Sequence, residues 1–115
     1  MEERNELLKR LKKDVGFVPK YYEVMATKNP EMFKAFFKFR SEILEKGVLP
    51  KKTKQLMAIA IYAAMRFDFG LDVHIRQALN AGATEDEIFE TLSLVILTAG
   101  LPGYIDGVKA LKSVK

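Results

Sequence analysis

Proline and glycine residues divide this chain into helix-length segments, and their placement is the strongest constraint on its fold. Pro30 begins a segment that ends at Gly47, Pro50 begins the next, and Gly100 and Pro102 separate the last two. Proline is favoured in the first turn of a helix, and glycine directly after its end. No segment shows the sustained alternation of apolar and polar residues that a half-buried strand requires. We therefore predict an all-α fold.

Two further signals place helix boundaries in the second half of the chain. Thr84 and Glu87 have the spacing of a capping box, which predicts a helix that begins there and runs to Gly100. The segment GLDVHIRQALNA is predicted to be a short helix that ends at Gly82, with Asp68 placed to cap its N-terminus. Because no Pro-, Gly- or Ser-rich linker interrupts this pattern, the 115 residues are predicted to form one domain.

Two of the helical segments, LMAIAIYAAM and LSLVILTAG, are apolar on almost every side. In a chain of 115 residues only a central helix can be covered all round, and covering two requires help from a second subunit. The sequence therefore predicts a homo-oligomer.

The composition excludes several kinds of chemistry. The chain has no cysteine and one histidine. A thiol nucleophile, a Cys-ligated zinc or iron–sulfur centre and CxxC redox chemistry are therefore excluded, and one His is too few for most histidine-based metal sites. We expect no metal and no cofactor.

The charge pattern and the N-terminus indicate the cell compartment and the kinds of partner to expect. The N-terminal run MEERNELLKRLKK is charged where a signal peptide would be apolar, so we expect a cytoplasmic protein. The longest apolar runs are too short to span a membrane. Residues 1–54 hold 14 Lys and Arg against 8 Asp and Glu, but these basic residues are spaced along helices without an arginine-rich patch. We expect neither membrane nor nucleic acid as a partner.

The single histidine, His74, is the natural centre of any site. It lies on the apolar side of its helix, while Asp72 and Arg76 lie on the other face, where their spacing lets them pair. Taken alone, an inward histidine is a hydrogen-bonded core residue, and Arg66 at the end of the preceding helix either caps the helix C-terminus or extends its charged group to solvent. Gln55 is either a surface residue or part of a site, and the spacing leaves both open.

The sequence on both sides of His74 also resembles that of a known superfamily. The run HIRQALNAGATEDEIFETLSLVILTAGLP, together with GFVPKYYEVMATKNPEMFKAFFKFRSEIL upstream, resembles the carboxymuconolactone decarboxylase and alkylhydroperoxidase AhpD-like superfamily. The similarity covers roughly residues 15–112. It implies an AhpD-like all-α domain that assembles into trimers or hexamers.

The peroxidase branch of that superfamily resembles E-x11-C-x2-C-x3-H. Aligned on His74, this pattern places its glutamate at Gln55 and its two cysteines at Phe67 and Gly70. Without either thiol, peroxide reduction by that mechanism is excluded.

The segment RFDFGLDVHIRQALNAGAT is close to the pattern of the decarboxylase branch, with Arg66, His74 and Arg76 matching, whereas Gly70 and the AGAT run resemble the other branch. The resemblance then implies that His74 is an acid that protonates a dienolate, that Arg66 or Arg76 holds a substrate carboxylate, and that Gln55 donates a hydrogen bond.

Two main functions are open at this point, beside another activity such as a lyase or isomerase acting on an unrelated acid. The first is a lyase acting on a small carboxylated lactone or a related organic acid, with His74, Arg66 and Gln55 as catalytic residues. Arg76, Phe67 and Tyr62 would then bind the substrate. The second is a non-catalytic oligomeric member of the superfamily that binds a ligand or serves as a structural protein.

Overall fold

The computed structural model describes residues 2–114, which form seven α-helices and no strand. This confirms the predicted all-α fold. The helices are α1 (Glu2–Val15), α2 (Lys20–Lys28), α3 (Pro30–Glu45), α4 (Lys51–Met65), α5 (Asp68–Asn80), α6 (Glu85–Ala99) and α7 (Leu101–Val114). The described residues form two compact units, one up to Leu49 and one from Pro50 onward. The organisation of residues 1–115 as one domain stays a prediction.

The first unit consists of α1, α2 and α3. Its core is formed by Leu11, Ala26, Phe33 and Phe37. The side-chain oxygen of Asn29 accepts a hydrogen bond of 3.1 Å from the backbone N–H of Met32, which caps the N-terminus of α3. The helix start predicted at Pro30 is thereby confirmed.

The second unit consists of the four helices α4 to α7, and it contains the predicted site. Fully buried side chains from three of these helices form its core: Ile59 of α4, Leu71 and Ile75 of α5, and Ile88 and Leu92 of α6. At Gly103 of α7, an added Cβ would lie 2.6 Å from the backbone oxygen of Ala63, so only glycine lets these helices approach so closely.

The predicted boundaries in this unit are right at α6 and wrong at α5. Both hydrogen bonds of the capping box are present: Glu87 N–H donates to Thr84 Oγ1 at 3.0 Å, and Thr84 N–H donates to Glu87 Oε1 at 2.9 Å. Asp68 is not the N-cap of α5. Phe67 holds that position, and Asp68 is the first helical residue, because Leu71 N–H already donates to the Phe67 carbonyl.

The two all-apolar helices are buried on one side only. Met57, Ile61 and Met65 of α4 and Leu94 and Leu97 of α6 are exposed, Leu97 to 83%. One chain therefore leaves part of each helix uncovered, as the sequence predicts. Among residues 2–114, no helix is long and apolar enough to cross a membrane.

Candidate active site

A short hydrogen bond joins α5 to α4 at His74. The Nδ1 atom of His74 lies 2.6 Å from Oε1 of Gln55. Gln55 is only 1% exposed, so it is not a surface residue, and its role in a site stays a prediction. Among the described residues, no partner lies within hydrogen-bond reach of Gln55 Nε2. The amide is therefore held through its oxygen.

Aromatic rings cover the same region. The Tyr62 ring lies 5.1 Å from the His74 ring between centroids, at an interplanar angle of 30°. Phe67 packs edge-on against Tyr62 at 5.4 Å, and Phe69 lies 6.5 Å from Phe67. Phe67 remains 46% exposed, so the cluster reaches from the interior to the surface. His74 thus contacts both the polar amide of Gln55 and the aromatic ring of Tyr62.

Gly70 leaves the space that these rings occupy. A Cβ at position 70 would lie 2.6 Å from Cδ2 of Phe67 and 2.9 Å from Cγ of Tyr62, closer than carbon atoms approach. The two positions that align with the peroxidase cysteines are therefore filled by a phenyl ring and by a glycine pressed against it. The structure brings Gln55, Phe67, Gly70 and His74 to one place, as the peroxidase spacing implies, but without the thiols.

Arg66 is the residue at which α4 ends. It adopts a left-handed backbone conformation (φ 61°, ψ 36°), and its backbone N–H donates to the carbonyls of Ala63 and Tyr62. Arg66 therefore caps the C-terminus of α4 through its backbone, which is one of the two structural roles that the sequence left open.

The Arg66 guanidinium forms an ion pair with a carboxylate that the sequence did not predict as its partner. Its Nε donates to Oδ2 of Asp106 in α7, and its Nη2 lies 3.3 Å from Oδ1. This hydrogen bond holds the pKa of Asp106 below its usual value and raises the pKa of Arg66. A substrate carboxylate would share the guanidinium with Asp106.

Arg76 pairs with Asp72 one turn before it, with 3.5 Å between Nε and Oδ2. The predicted pair is thus confirmed. Two residues along a helix correspond to a rotation of about 200°, which separates Arg76 from the His74 face.

A groove of about 570 Å³ lies between α5 and α7. It is lined by Asp68, Phe69, Asp72, Asp106, Lys109, Ala110 and Ser113. Asp72 and Asp106 are paired with Arg76 and Arg66, and Asp68 and Lys109 carry opposite charges, so the groove offers no surplus of positive charge for an acid. Within residues 2–114, no group of three or more His, Asp or Glu side chains is arranged to hold a metal ion.

Residues 30–113 match the family model of the carboxymuconolactone decarboxylase family. The chain belongs to this family. The resemblance seen in the sequence is thereby confirmed.

Relatives of this carboxymuconolactone decarboxylase family protein include one enzyme with a named activity. That enzyme, 4-carboxymuconolactone decarboxylase of Acinetobacter baylyi, is 36% identical over 61 residues, which cover 53% of this chain and 46% of the enzyme. An uncharacterised protein of Methanocaldococcus jannaschii is 28% identical over 91 residues, covering 78% of this chain and 88% of the relative.

Solved structures share the fold of this family protein. The crystal structure of a Burkholderia xenovorans LB400 protein, assigned provisionally as a carboxymuconolactone decarboxylase, has a TM-score of 0.79 and 30% identity, covering 95% of this chain and 89% of that one. A carboxymuconolactone decarboxylase family protein from Legionella pneumophila has a TM-score of 0.74 at 23% identity, covering 93% of this chain and 96% of that one. Because the Legionella protein is only 23% identical, its similarity shows a shared fold and no more.

Proposed function

We propose that this family member is a cytoplasmic lyase that removes a carboxylate from a small carboxylated lactone or a related organic acid. The observation that carries the proposal is the His74 imidazole, which is held by Gln55 at 2.6 Å and lies beside the Tyr62 ring. A titratable ring fixed by a hydrogen bond, and surrounded by apolar groups, is suited to proton transfer.

In the proposed reaction, the bond between the carboxylate carbon and the substrate skeleton breaks and CO₂ leaves. The bonding electron pair passes into the conjugated enolate, and the imidazolium of His74 gives its proton to the carbon. The ring of His74 is then neutral, so atoms and charges balance. The Tyr62 ring beside His74 would shield the reacting centre from water, which favours loss of the carboxylate charge.

Cationic side chains would hold the remaining carboxylate. Arg66 directly precedes Phe67, and a guanidinium has five N–H donors, of which two contact Asp106. We assign the carboxylate to the other donors of Arg66. Arg76 remains a predicted substrate-binding residue, and its pairing with Asp72 makes it the weaker candidate.

We predict that the purified protein releases CO₂ from at least one acid in a panel of lactone monocarboxylic and dicarboxylic acids. A coupled CO₂ assay would measure the release, with the lactone methyl esters as controls because they lack a free carboxylate. The protein should not consume hydroperoxide in the presence of a dithiol, since it has no cysteine. Release from none of the acids would contradict the lyase and leave the non-catalytic alternative.

A second observation favours a homo-oligomer, whether or not the protein is a lyase. Met57, Ile61 and Met65 lie one turn apart on the uncovered side of α4, and the chain has no charged residue from Gln55 to Met65. A stripe of this kind suits an apolar surface on another copy of the chain, as in symmetric homo-oligomers. We propose that copies associate through the exposed sides of α4 and α6, in the trimer or hexamer that the family resemblance implies.

We predict that sedimentation equilibrium at micromolar concentration gives a mass that is a multiple of 13.1 kDa. Ile61→Asp and Leu97→Asp should shift the protein towards monomer, because each would bury a charge in the interface. Val24→Asp, at an exposed apolar position of α2, is the control and should leave the mass unchanged. A stable monomer of the unmodified chain would refute the assembly.

A further inference from the structure

The contact between His74 and Gln55 determines which nitrogen of the imidazole carries the proton. Nδ1 faces the amide oxygen of Gln55 at 2.6 Å. A carbonyl oxygen can only accept a hydrogen bond, so Nδ1 must be the donor. If Nδ1 lacked its proton, two lone pairs would face each other at that distance. Neutral His74 in this arrangement is therefore protonated on Nδ1.

The burial of Gln55 favours the form of His74 that is protonated on Nδ1. Gln55 is 1% exposed, so bulk water does not reach its oxygen to replace the imidazole as the donor. An unpaired buried carbonyl is destabilising, and the other tautomer would leave the Gln55 oxygen unpaired. The ring itself is fixed by the adjacent Tyr62, whose plane is tilted by 30° from it.

We propose that Gln55 is a positioning residue that holds His74 in the Nδ1-protonated form, so that Nε2 is the atom that exchanges protons with the substrate. The assignment of the tautomer stands on geometry alone, whereas the role in proton exchange rests on the proposed function. In the neutral ring Nε2 has a lone pair and is a base; in the imidazolium it has a proton and is an acid. Nδ1 keeps its proton throughout.

The choice of an amide instead of a carboxylate at position 55 follows from the same argument. A glutamate there could also accept from Nδ1, but it could take up the proton itself. The Gln55 amide has no accessible protonated state, so it directs the ring without joining the proton transfer. Each turnover then moves one proton, at Nε2, and returns Gln55 unchanged.

The single histidine makes the tautomer measurable in the intact chain without any substrate. A long-range ¹H–¹⁵N correlation on ¹⁵N-labelled protein, recorded at a pH that neutralises the ring, distinguishes a protonated from an unprotonated ring nitrogen by a large difference in ¹⁵N shift. We expect Nδ1 to give the protonated signature and Nε2 the unprotonated one. The reverse pattern would mean that the amide presents its NH₂ group to the ring, and it would overturn the proposal.

Variants at position 55 test whether Gln55 is the cause. Gln55→Glu keeps an acceptor oxygen and should keep the Nδ1-protonated pattern. Gln55→Leu should lose it, with both nitrogen shifts moving towards the average of the two tautomers; Gln55→Met serves if the leucine variant does not fold. Gln77→Leu removes the other buried glutamine, and as the matched control it should leave the pattern unchanged.

An unchanged Nδ1-protonated pattern in a folded Gln55→Leu or Gln55→Met protein would also overturn the proposal. The outcome is separate from that of the lyase assay. A protein that releases no CO₂ can still show the tautomer, and an active lyase with Nε2 protonated would disprove the role of Gln55 alone.

Discussion

Replacing His74 by asparagine is expected to lower kcat/KM for CO₂ release by about 10²- to 10⁴-fold, the usual contribution of a positioned acid or base. The amide nitrogen of asparagine can take the place of Nδ1 and donate to Gln55, so the buried carbonyl keeps a partner. What is lost is the ring nitrogen that exchanges the proton. Steady-state kinetics on the preferred acid, together with thermal unfolding, would measure both effects.

His74→Ala provides the comparison. It removes the proton carrier and also leaves the Gln55 oxygen unpaired, which costs about 1–3 kcal/mol of stability. We therefore expect both variants to lose activity but only the alanine variant to lose clear stability. If His74→Asn turned over at the rate of the unmodified protein, His74 would be a structural residue and the proposed mechanism would be wrong.

Local signals along the chain predict the helix boundaries well. The capping box of Thr84 and Glu87 and the cap at Asn29 involve residues three apart, so the sequence contains all the groups that form them. The start of α5 is different, because it depends on how α4 ends. Arg66 takes a left-handed conformation and turns the chain at once, and α5 begins at Asp68 instead of near Gly70.

In the candidate site, too, contacts within one helix follow from the sequence, whereas contacts between helices do not. The pairing of Asp72 with Arg76 follows from their spacing in one helix, and the structure contains it. The partner of Arg66 is 40 residues away in α7, and no motif links Arg66 to Asp106. Such a pair depends on how two helices pack, which the sequence pattern alone does not specify.

Gln55 illustrates what a family resemblance adds to the residues themselves. Its position early in α4 leaves burial undecided, since glutamine is common on surfaces. The spacing of the peroxidase motif brings position 55 to His74, and the structure has the two side chains in contact. The resemblance thus indicates the neighbours of His74, while the chemistry depends on which residues stand there.

The largest effect on stability is expected where α6 packs on α7. Leu92 is fully buried, and a Cβ at Gly107 would lie 2.2 Å from its Cδ2. Leu92→Ala should cost about 2–5 kcal/mol through lost burial and a cavity. Gly107→Ala should cost about 1–3 kcal/mol from the collision, offset by about 1 kcal/mol from the better helix propensity of alanine. Urea unfolding at one fixed protein concentration would measure each value.

In the double variant the new methyl group at position 107 enters the space that the Leu92 side chain vacates. Gly107→Ala should therefore change sign and stabilise the Leu92→Ala protein, giving an interaction energy of about 1–3 kcal/mol. Gly103→Ala is the matched control, because its added Cβ would meet the Ala63 carbonyl at 2.6 Å and not Leu92. It should destabilise both backgrounds equally, within about 0.5 kcal/mol. Additivity at Gly107 as well would show that Leu92 can turn away from the new methyl group, and that close packing of α6 on α7 does not require glycine there.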